Sequence, residues 1–111
     1  PEVIWHRDAR DIAGRAALQR RFINTAIGWL ERGGVLVYCV CSLEPQEGEA
    51  QAEWLAGRDD VELLPVDHSE LPGLEAALTP EGFVRTRPGL PVPGDAGGTL
   101  DGFFVVRLKR R

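Results

Sequence analysis

Two cysteines are the side chains best suited to covalent chemistry, and they lie two positions apart in one apolar run, VLVYCVC, at residues 35–41. Cys41 ends this run, and the ligands of open α/β sheets collect at the carboxyl ends of strands. A helix that begins just after it would offer free N–H groups that lower the pKa of a thiol, which favours a nucleophile. An unpaired cysteine can also be a small buried apolar residue, so position alone leaves both interpretations of Cys41 open. Cys39 lies one residue pair deeper, and we interpret it as structural.

The elements before and around the cysteines are predicted from hydrophobic spacing. An apolar stripe at helical spacing follows Asp8, a residue suited to an N-cap, and predicts a helix that ends at the glycine pair 33–34. Gln19 lies on this stripe, and we interpret it as a core amide with a hydrogen-bond partner. The run 35–41 is continuous and rich in β-branched residues, which predicts a strand buried on both faces of a sheet.

The downstream segments predict further helices and strands. Residues 42–57 have Pro45 in a first helical turn and Gly57 as a stop, which indicates a second, shorter helix. Strands are expected at 61–66, 83–87 and 102–108, one helical turn at 74–78, and a loop between the last two strands. This order predicts an α/β fold with parallel strands and an antiparallel strand pair at one edge of the sheet.

The composition is that of one ordinary globular domain, with 43% hydrophobic and 27% charged residues among 111. No apolar run approaches the about 18 to 20 residues of a membrane span, and no signal-peptide pattern opens the chain. Two cysteines in Cys-x-Cys spacing on a strand make poor disulfide geometry, so we expect a reducing, cytoplasmic location. The net charge of −4 argues against this chain being the main phosphate-binding surface of a nucleic-acid enzyme.

The chain begins at Pro1 and contains no methionine, which favours a piece of a longer protein. In such a protein the strand at 35–41 would lie in the interior of the sheet, and strands from elsewhere would cover its open flank. Alone, the chain could associate with itself through that exposed sheet edge.

A family resemblance rests on three segments that follow one another in order. GGVLVYCVCSLEPQEGEAQ, residues 33–51, joins a glycine pair, an apolar strand, a Cys-Ser pair and a Glu-rich helix start; the helix before it carries Leu18 and Gln19, and LDGFFVVRLKR closes the chain. Together they resemble the Sun/Fmu (NOL/NOP/Sun) family of rRNA cytosine-C5 methyltransferases over nearly the whole chain. The resemblance implies the C-terminal half of a Rossmann-like, S-adenosylmethionine-dependent methyltransferase fold, with residues 1–111 as a C-terminal fragment of the catalytic domain.

The resemblance also implies a mechanism. Cytosine C5 is a poor nucleophile, so such enzymes add a thiolate to C6 and thereby activate C5 for methylation. In this sequence the resemblance places that role on Cys41. A second cysteine and the segments that bind S-adenosyl-L-methionine are expected upstream of this chain, so the chain is expected to hold no cofactor or metal and to be inactive alone. The partner implied for the whole protein is rRNA, without a membrane.

The resemblance further suggests Ser42, Asp101 and Phe103 as substrate-binding residues. Asp101 can also be a turn aspartate bonded to its own backbone. Phe103 and Phe104 point to opposite sides of a strand, so at least one of them is expected in the core. Val40 stands where the family usually has a threonine, which removes one hydroxyl and leaves the thiol in place.

Three alternatives belong to other classes of protein. A redox site at Cys39 and Cys41 lacks the Cys-x-x-Cys spacing that opens a helix. A zinc site that adds His6 and His68 matches no finger spacing. The stronger alternative is a non-catalytic domain of the same fold that binds RNA or protein while its thiol stays inert.

Overall fold

The computed structural model describes residues 9–87 and 102–111, which form two α-helices and a four-stranded sheet. The helices are α1 (Ala9–Trp29) and α2 (Glu49–Ala56). In chain order the strands are β1 (Val35–Val40), β2 (Val61–Leu63), β3 (Val84–Thr86) and β4 (Phe103–Arg110). Short 3-10 turns cover Pro45–Glu47, His68–Glu70 and Glu75–Ala77. Each predicted helix and strand has a counterpart in the structure, but β2 is shorter than the predicted strand at 61–66, and α2 covers only the later part of the predicted helix at 42–57.

β4 is the central strand of the sheet. β1 pairs antiparallel along one side of it, with Val40 opposite Phe104, while β2 and β3 pair antiparallel along the other side. The two strands β1 and β2 therefore run in the same direction on either side of β4. The predicted α/β class and the antiparallel pairing of the last two strands are confirmed, and the parallel strands are neighbours of β4 rather than of each other.

The core lies on one face of the sheet, under both helices. Alternate residues of β4 point into it, and Phe104, Val106 and Leu108 are fully buried. The helices and β2 contribute the other buried apolar side chains, which are Ile23, Ile27, Ala52, Leu55 and Val61. Burial of this apolar area, at roughly 25 cal/mol per Å², is the main force that holds α1 and α2 against the sheet.

The prediction that β1 is buried on both faces is wrong. Its residues alternate between exposed and half-buried: Val35 and Val37 are each 50% exposed, whereas Leu36 and Tyr38 face the core. The physical reason is that both described helices pack on the same face of the sheet. β1 also forms one edge of the sheet among the described residues, so the predicted self-association through that edge stays a prediction.

The predicted second helix is interrupted at Gly48, which separates the 3-10 turn Pro45–Glu47 from α2. A Cβ at Gly48 would lie 2.5 Å from Nη2 of Arg85 and 2.9 Å from Cγ of Phe104, so only glycine fits this close approach. Neither helix of the described residues is long and apolar enough to cross a membrane.

Candidate active site

Cys41 lies directly after the last residue of β1, and its side chain is exposed. It lines a groove of about 650 Å³ on the face of the sheet that the helices leave open. The other apolar lining residues come from β3, β4 and the connection after β2: Val66, Leu71, Leu74, Val84, Phe103 and Val105. The thiol therefore lies at the carboxyl end of a strand and at the rim of an apolar groove.

The polar groups of the groove are few. Thr86 lines it, and so do Glu70 and Arg107, whose charged atoms are 2.8 Å apart at the surface. The pKa of Glu70 is lowered by the hydrogen bonds from Arg107. Phe103 lines the groove whereas Phe104 is fully buried, which confirms that one of the two phenylalanines belongs to the core.

Ser42 follows the thiol and is buried, with 6% of its surface exposed. Its hydroxyl donates to Oε2 of Glu47 at 3.0 Å and accepts a hydrogen bond from the Glu44 backbone N–H, also at 3.0 Å. The hydroxyl proton is therefore already engaged within the protein. The substrate contact predicted for Ser42 stays a prediction, and these bonds tie the residue to the 3-10 turn.

Glu47 is a buried carboxylate, 2% exposed, at the centre of a polar network behind Ser42. Its Oε1 accepts hydrogen bonds from Nε2 of Gln19 at 2.8 Å and from Nε of Arg15 at 3.3 Å. Burial alone raises the pKa of this carboxyl, but the hydrogen bonds from Gln19, Ser42 and Arg15 outweigh it, so the pKa lies below its ordinary value. Glu47 is therefore held ionised by donors from α1 and from the segment after β1.

Tyr38 of β1 reaches the same turn and donates its hydroxyl to the backbone oxygen of Glu47 at 2.7 Å. Burial and the negative charge of Glu47 raise the pKa of Tyr38 to about 12. The tyrosine is therefore a neutral hydrogen-bond donor at physiological pH, and it fixes the 3-10 turn against β1.

The network continues from Gln19 into α2. Gln51 is fully buried; its Nε2 donates to the Ala16 backbone oxygen at 2.8 Å and to Oε1 of Gln19 at 3.3 Å, and its Oε1 accepts from Nε of Arg20 at 2.7 Å. The prediction that the Gln19 amide has hydrogen-bond partners is therefore confirmed, whereas its expected place in the core is not, because the residue is only half-buried. This chain of bonds joins α1 and α2 behind the thiol.

Arg85 of β3 approaches Ser42 from the other side, with 7% of its surface exposed. Its Nη1 donates to the Ser42 backbone oxygen, and its guanidinium pairs with Glu49 through Nε at 2.9 Å and Nη2 at 2.5 Å. It also lies 5.0 Å over the ring of Phe104. The hydrogen bond from Arg85 holds the pKa of Glu49 below its ordinary value.

Sequence reasoning missed Glu47, Arg85 and Tyr38 as parts of this site. In the sequence, Glu47 lies in the Glu-rich helix start and Arg85 in the expected strand at 83–87, and neither pattern predicted a role for its side chain. The available signal was alternation, because Arg85 occupies an inward position of β3, where a charge requires a partner. The bonds of Glu47 to α1 span 28 and 32 residues, so no local pattern could show them.

The remaining site predictions have different outcomes. Asp101 and His6 lie outside the described residues, and so does the loop before Asp101. Cys39 is exposed on the same side of β1 as Cys41, and both are free thiols; partial burial and the nearby Cys41 raise the pKa of Cys39. Within the described residues, no group of three or more His, Cys, Asp or Glu side chains could hold a metal ion.

Comparison with known protein families gives a match over nearly the whole chain. Residues 1–109 match the family described as "16S rRNA methyltransferase RsmB/F". The chain is 40% identical over 97 residues to "Ribosomal RNA small subunit methyltransferase F" of Shigella flexneri serotype 5b (strain 8401) and to the protein of that name from Salmonella agona (strain SL483). Each alignment covers 86% of this chain and 19% of the relative, so the chain spans about a fifth of their length.

Two solved structures share the fold. A methyltransferase homolog from Pyrococcus horikoshii is 32% identical, with a TM-score of 0.68, and the match covers 96% of this chain and 34% of that one. NSun6 from Pyrococcus horikoshii, solved with SFG, an analogue of S-adenosylmethionine, is 27% identical with a TM-score of 0.67, and 95% and 24% of the two chains are covered. The predicted Rossmann-like methyltransferase fold is thereby confirmed.

Proposed function

Because this chain belongs to the RsmB/F family of 16S rRNA methyltransferases, we propose that the protein methylates C5 of a cytosine in rRNA, with Cys41 as the nucleophile. The observation that carries the proposal is the exposed thiol at the carboxyl end of β1, on the rim of the groove. Since the chain spans 19% of its relatives, the activity is proposed for the whole protein, of which residues 1–111 are proposed as a C-terminal fragment of the catalytic domain.

The proposed reaction begins with the thiolate of Cys41. It forms a bond to C6 of the cytosine, and the electrons of the C5–C6 double bond move so that C5 becomes nucleophilic. S-adenosyl-L-methionine, the proposed cofactor, would supply the methyl group when bound: C5 would form the new carbon–carbon bond as the S–CH3 bond breaks and its electron pair stays on sulfur, which leaves as a neutral thioether. A base then removes the C5 proton, the double bond forms again, and the C6–S bond breaks with its electron pair returning to Cys41.

The described residues of the groove do not form a site for the cofactor. The one carboxylate among its lining residues is Glu70, which could otherwise accept bonds from sugar hydroxyls. Glu70 already accepts two hydrogen bonds from Arg107 and one from the Asp67 backbone N–H at 2.8 Å. We therefore propose that the cofactor is bound mainly by other parts of the whole protein.

The groove supports binding of a flipped-out base better than binding of the RNA backbone. Its walls are largely apolar, and Phe103 offers a ring on which a pyrimidine can stack beside Cys41. The chain has a net charge of −4, so neutralisation of the RNA phosphates is assigned to other parts of the protein.

The test is covalent trapping of the intact protein with 5-fluorocytosine RNA and S-adenosyl-L-methionine, followed by denaturing electrophoresis. Fluorine at C5 cannot leave as a proton does, so a Cys41–C6 adduct accumulates. We expect the adduct in the wild type and in Cys39→Ser, and none in Cys41→Ser. The absence of an adduct in a folded wild-type protein would instead support a non-catalytic binding domain.

A further inference from the structure

Ser42 is anchored at two different atoms by two different parts of the fold. Its hydroxyl donates to the carboxylate of Glu47, and its backbone oxygen accepts from the guanidinium of Arg85. The two partners lie far from each other in the chain, on the 3-10 turn after β1 and on β3. The residue that follows the thiol is therefore fixed both through its side chain and through its backbone.

Each anchor is itself fixed. Glu47 is buried and held by Arg15 and Gln19 of α1. Arg85 is buried and held by both carboxylate oxygens of Glu49. Charged groups that are buried and paired have few alternative positions, because any shift leaves a charge without its partner. Through Glu47 and Arg85, Ser42 is therefore linked to side chains of both α1 and α2.

The backbone on the other side of the thiol is fixed by the sheet, since Val40 pairs with Phe104 of β4. Cys41 itself lies outside the strand, and its side chain is exposed. The direction of the thiol is then set by the residues on either side of it, Val40 and Ser42. Attack on C6 requires this direction, because a misplacement of about 1 Å can cost on the order of 100-fold in rate.

Resting on the proposed role of Cys41, we propose that Glu47 and Arg85 are positioning residues that aim the Cys41 thiol into the groove by clamping Ser42. Neither residue lines the groove or is exposed, so neither is assigned a contact with the substrate. We call the two hydrogen bonds of Glu47 and Arg85 to Ser42 the clamp. The clamp raises kcat, whereas binding of RNA and of the methyl donor depends on other residues.

The clamp is tested first by hydrogen exchange in the intact protein. Ser42→Ala removes the acceptor of the Glu44 amide and one donor to Glu47, so exchange in residues 41–48 is expected to accelerate about tenfold. Glu47→Gln and Arg85→Lys are expected to do the same, whereas exchange in residues 61–64 stays as in the wild type. Ser42→Thr, which keeps a hydroxyl, is expected to restore slow exchange.

Matched controls carry the same chemical changes away from the clamp. Ser69→Ala removes a surface hydroxyl bonded to Asp67, and Glu62→Gln changes the surface partner of Lys109. Each control is expected to leave both the exchange of residues 41–48 and turnover at the wild-type level, since exposed pairs contribute little.

Steady-state kinetics form the second readout. The three clamp variants are expected to lower kcat by about tenfold or more, with KM for S-adenosyl-L-methionine within about twofold of the wild type. Unchanged exchange in residues 41–48 would overturn the clamp, and so would faster exchange with wild-type kcat. If the wild type forms no adduct with 5-fluorocytosine RNA, the proposed function fails, and the exchange of residues 41–48 alone decides whether the clamp exists.

Discussion

The two faces of the sheet are formed by alternate residues of the same strands, yet they differ in what covers them. On one face, α1 and α2 bury Phe104, Val106 and a polar network centred on Glu47. On the other, Cys39 and Cys41 are exposed, and the groove is lined mainly by apolar side chains. The comparison shows that the covered face packs the helices against the sheet, whereas the open face presents the thiol of Cys41, the proposed nucleophile.

The largest effect is expected from the two cysteines of the open face. Cys41→Ala removes the proposed nucleophile, and methyl transfer by the intact protein is expected to fall on the order of 10⁴-fold. Cys39→Ala, on the same side of β1, is expected to retain activity within about threefold of the wild type. Methyl incorporation into rRNA measures both. Equal losses of methyl transfer in the two variants would contradict a specific role of Cys41.

The next effect compares the adjacent phenylalanines at the start of β4. Phe104→Ala opens a cavity in the core and removes the ring under Arg85, so the free energy of unfolding is expected to fall by about 3 to 5 kcal/mol. Phe103→Ala, on the groove side, is expected to cost about 1 kcal/mol. Urea denaturation of the intact protein measures the two losses. Similar values would mean that the open face is as tightly packed as the covered one.

A smaller effect is expected at the glycine between the two helical segments. Gly48→Ala forces a Cβ against Arg85 and Phe104, and this overpacking is expected to cost about 1 to 3 kcal/mol. Gly28→Ala is the matched control, because a Cβ there meets nothing within 4 Å in α1, and it is expected to stabilise by about 0.5 to 1 kcal/mol. The change in melting temperature shows whether each variant is stabilised or destabilised. A stabilising Gly48→Ala would contradict the close contact of Gly48 with Arg85 and Phe104.

The smallest effect is a dependence of stability on pH that comes from Glu47. Its pKa is lowered in the folded state, so its contribution is fully present above the ordinary value of 4.5 and is lost as the pH falls through the folded pKa. The stability difference between the wild type and Glu47→Gln is therefore expected to be constant at neutral pH and to shrink below pH 4.5. A difference that grows in acid would instead mean that folding raises the pKa of Glu47.

Much of the fold could be predicted from the sequence because its strongest signals are local. The helical stripe before the glycine pair, the apolar run at 35–41 and the turn residues between later strands specify the helices and strands with little help from distant contacts. The resemblance carried by residues 33–51 and by the closing strand is confirmed by the family match. This resemblance predicted a methyltransferase fold, whereas hydrophobic spacing alone predicted only the α/β class.

The prediction failed where the answer depends on partners far along the chain. A continuous apolar run cannot reveal which face of β1 the helices cover, so Val35 and Val37 were wrongly expected to be buried. The roles of Glu47 and Arg85 depend on hydrogen bonds to residues 28 and 43 positions away in the chain, which no local pattern shows. Charged residues are usually expected at the surface, and their partners here become visible only in the tertiary structure.

The central position of β4 has a consequence for how the protein is made. β4 follows every other described strand in chain order, yet β1, β2 and β3 all pair with it. During synthesis on the ribosome the earlier strands therefore emerge without their common partner, and the sheet can close only after residues 103–110 have left the exit tunnel. A nascent chain stalled before β4 would carry Cys41, the proposed nucleophile, directly after a strand that still lacks its partner in the sheet.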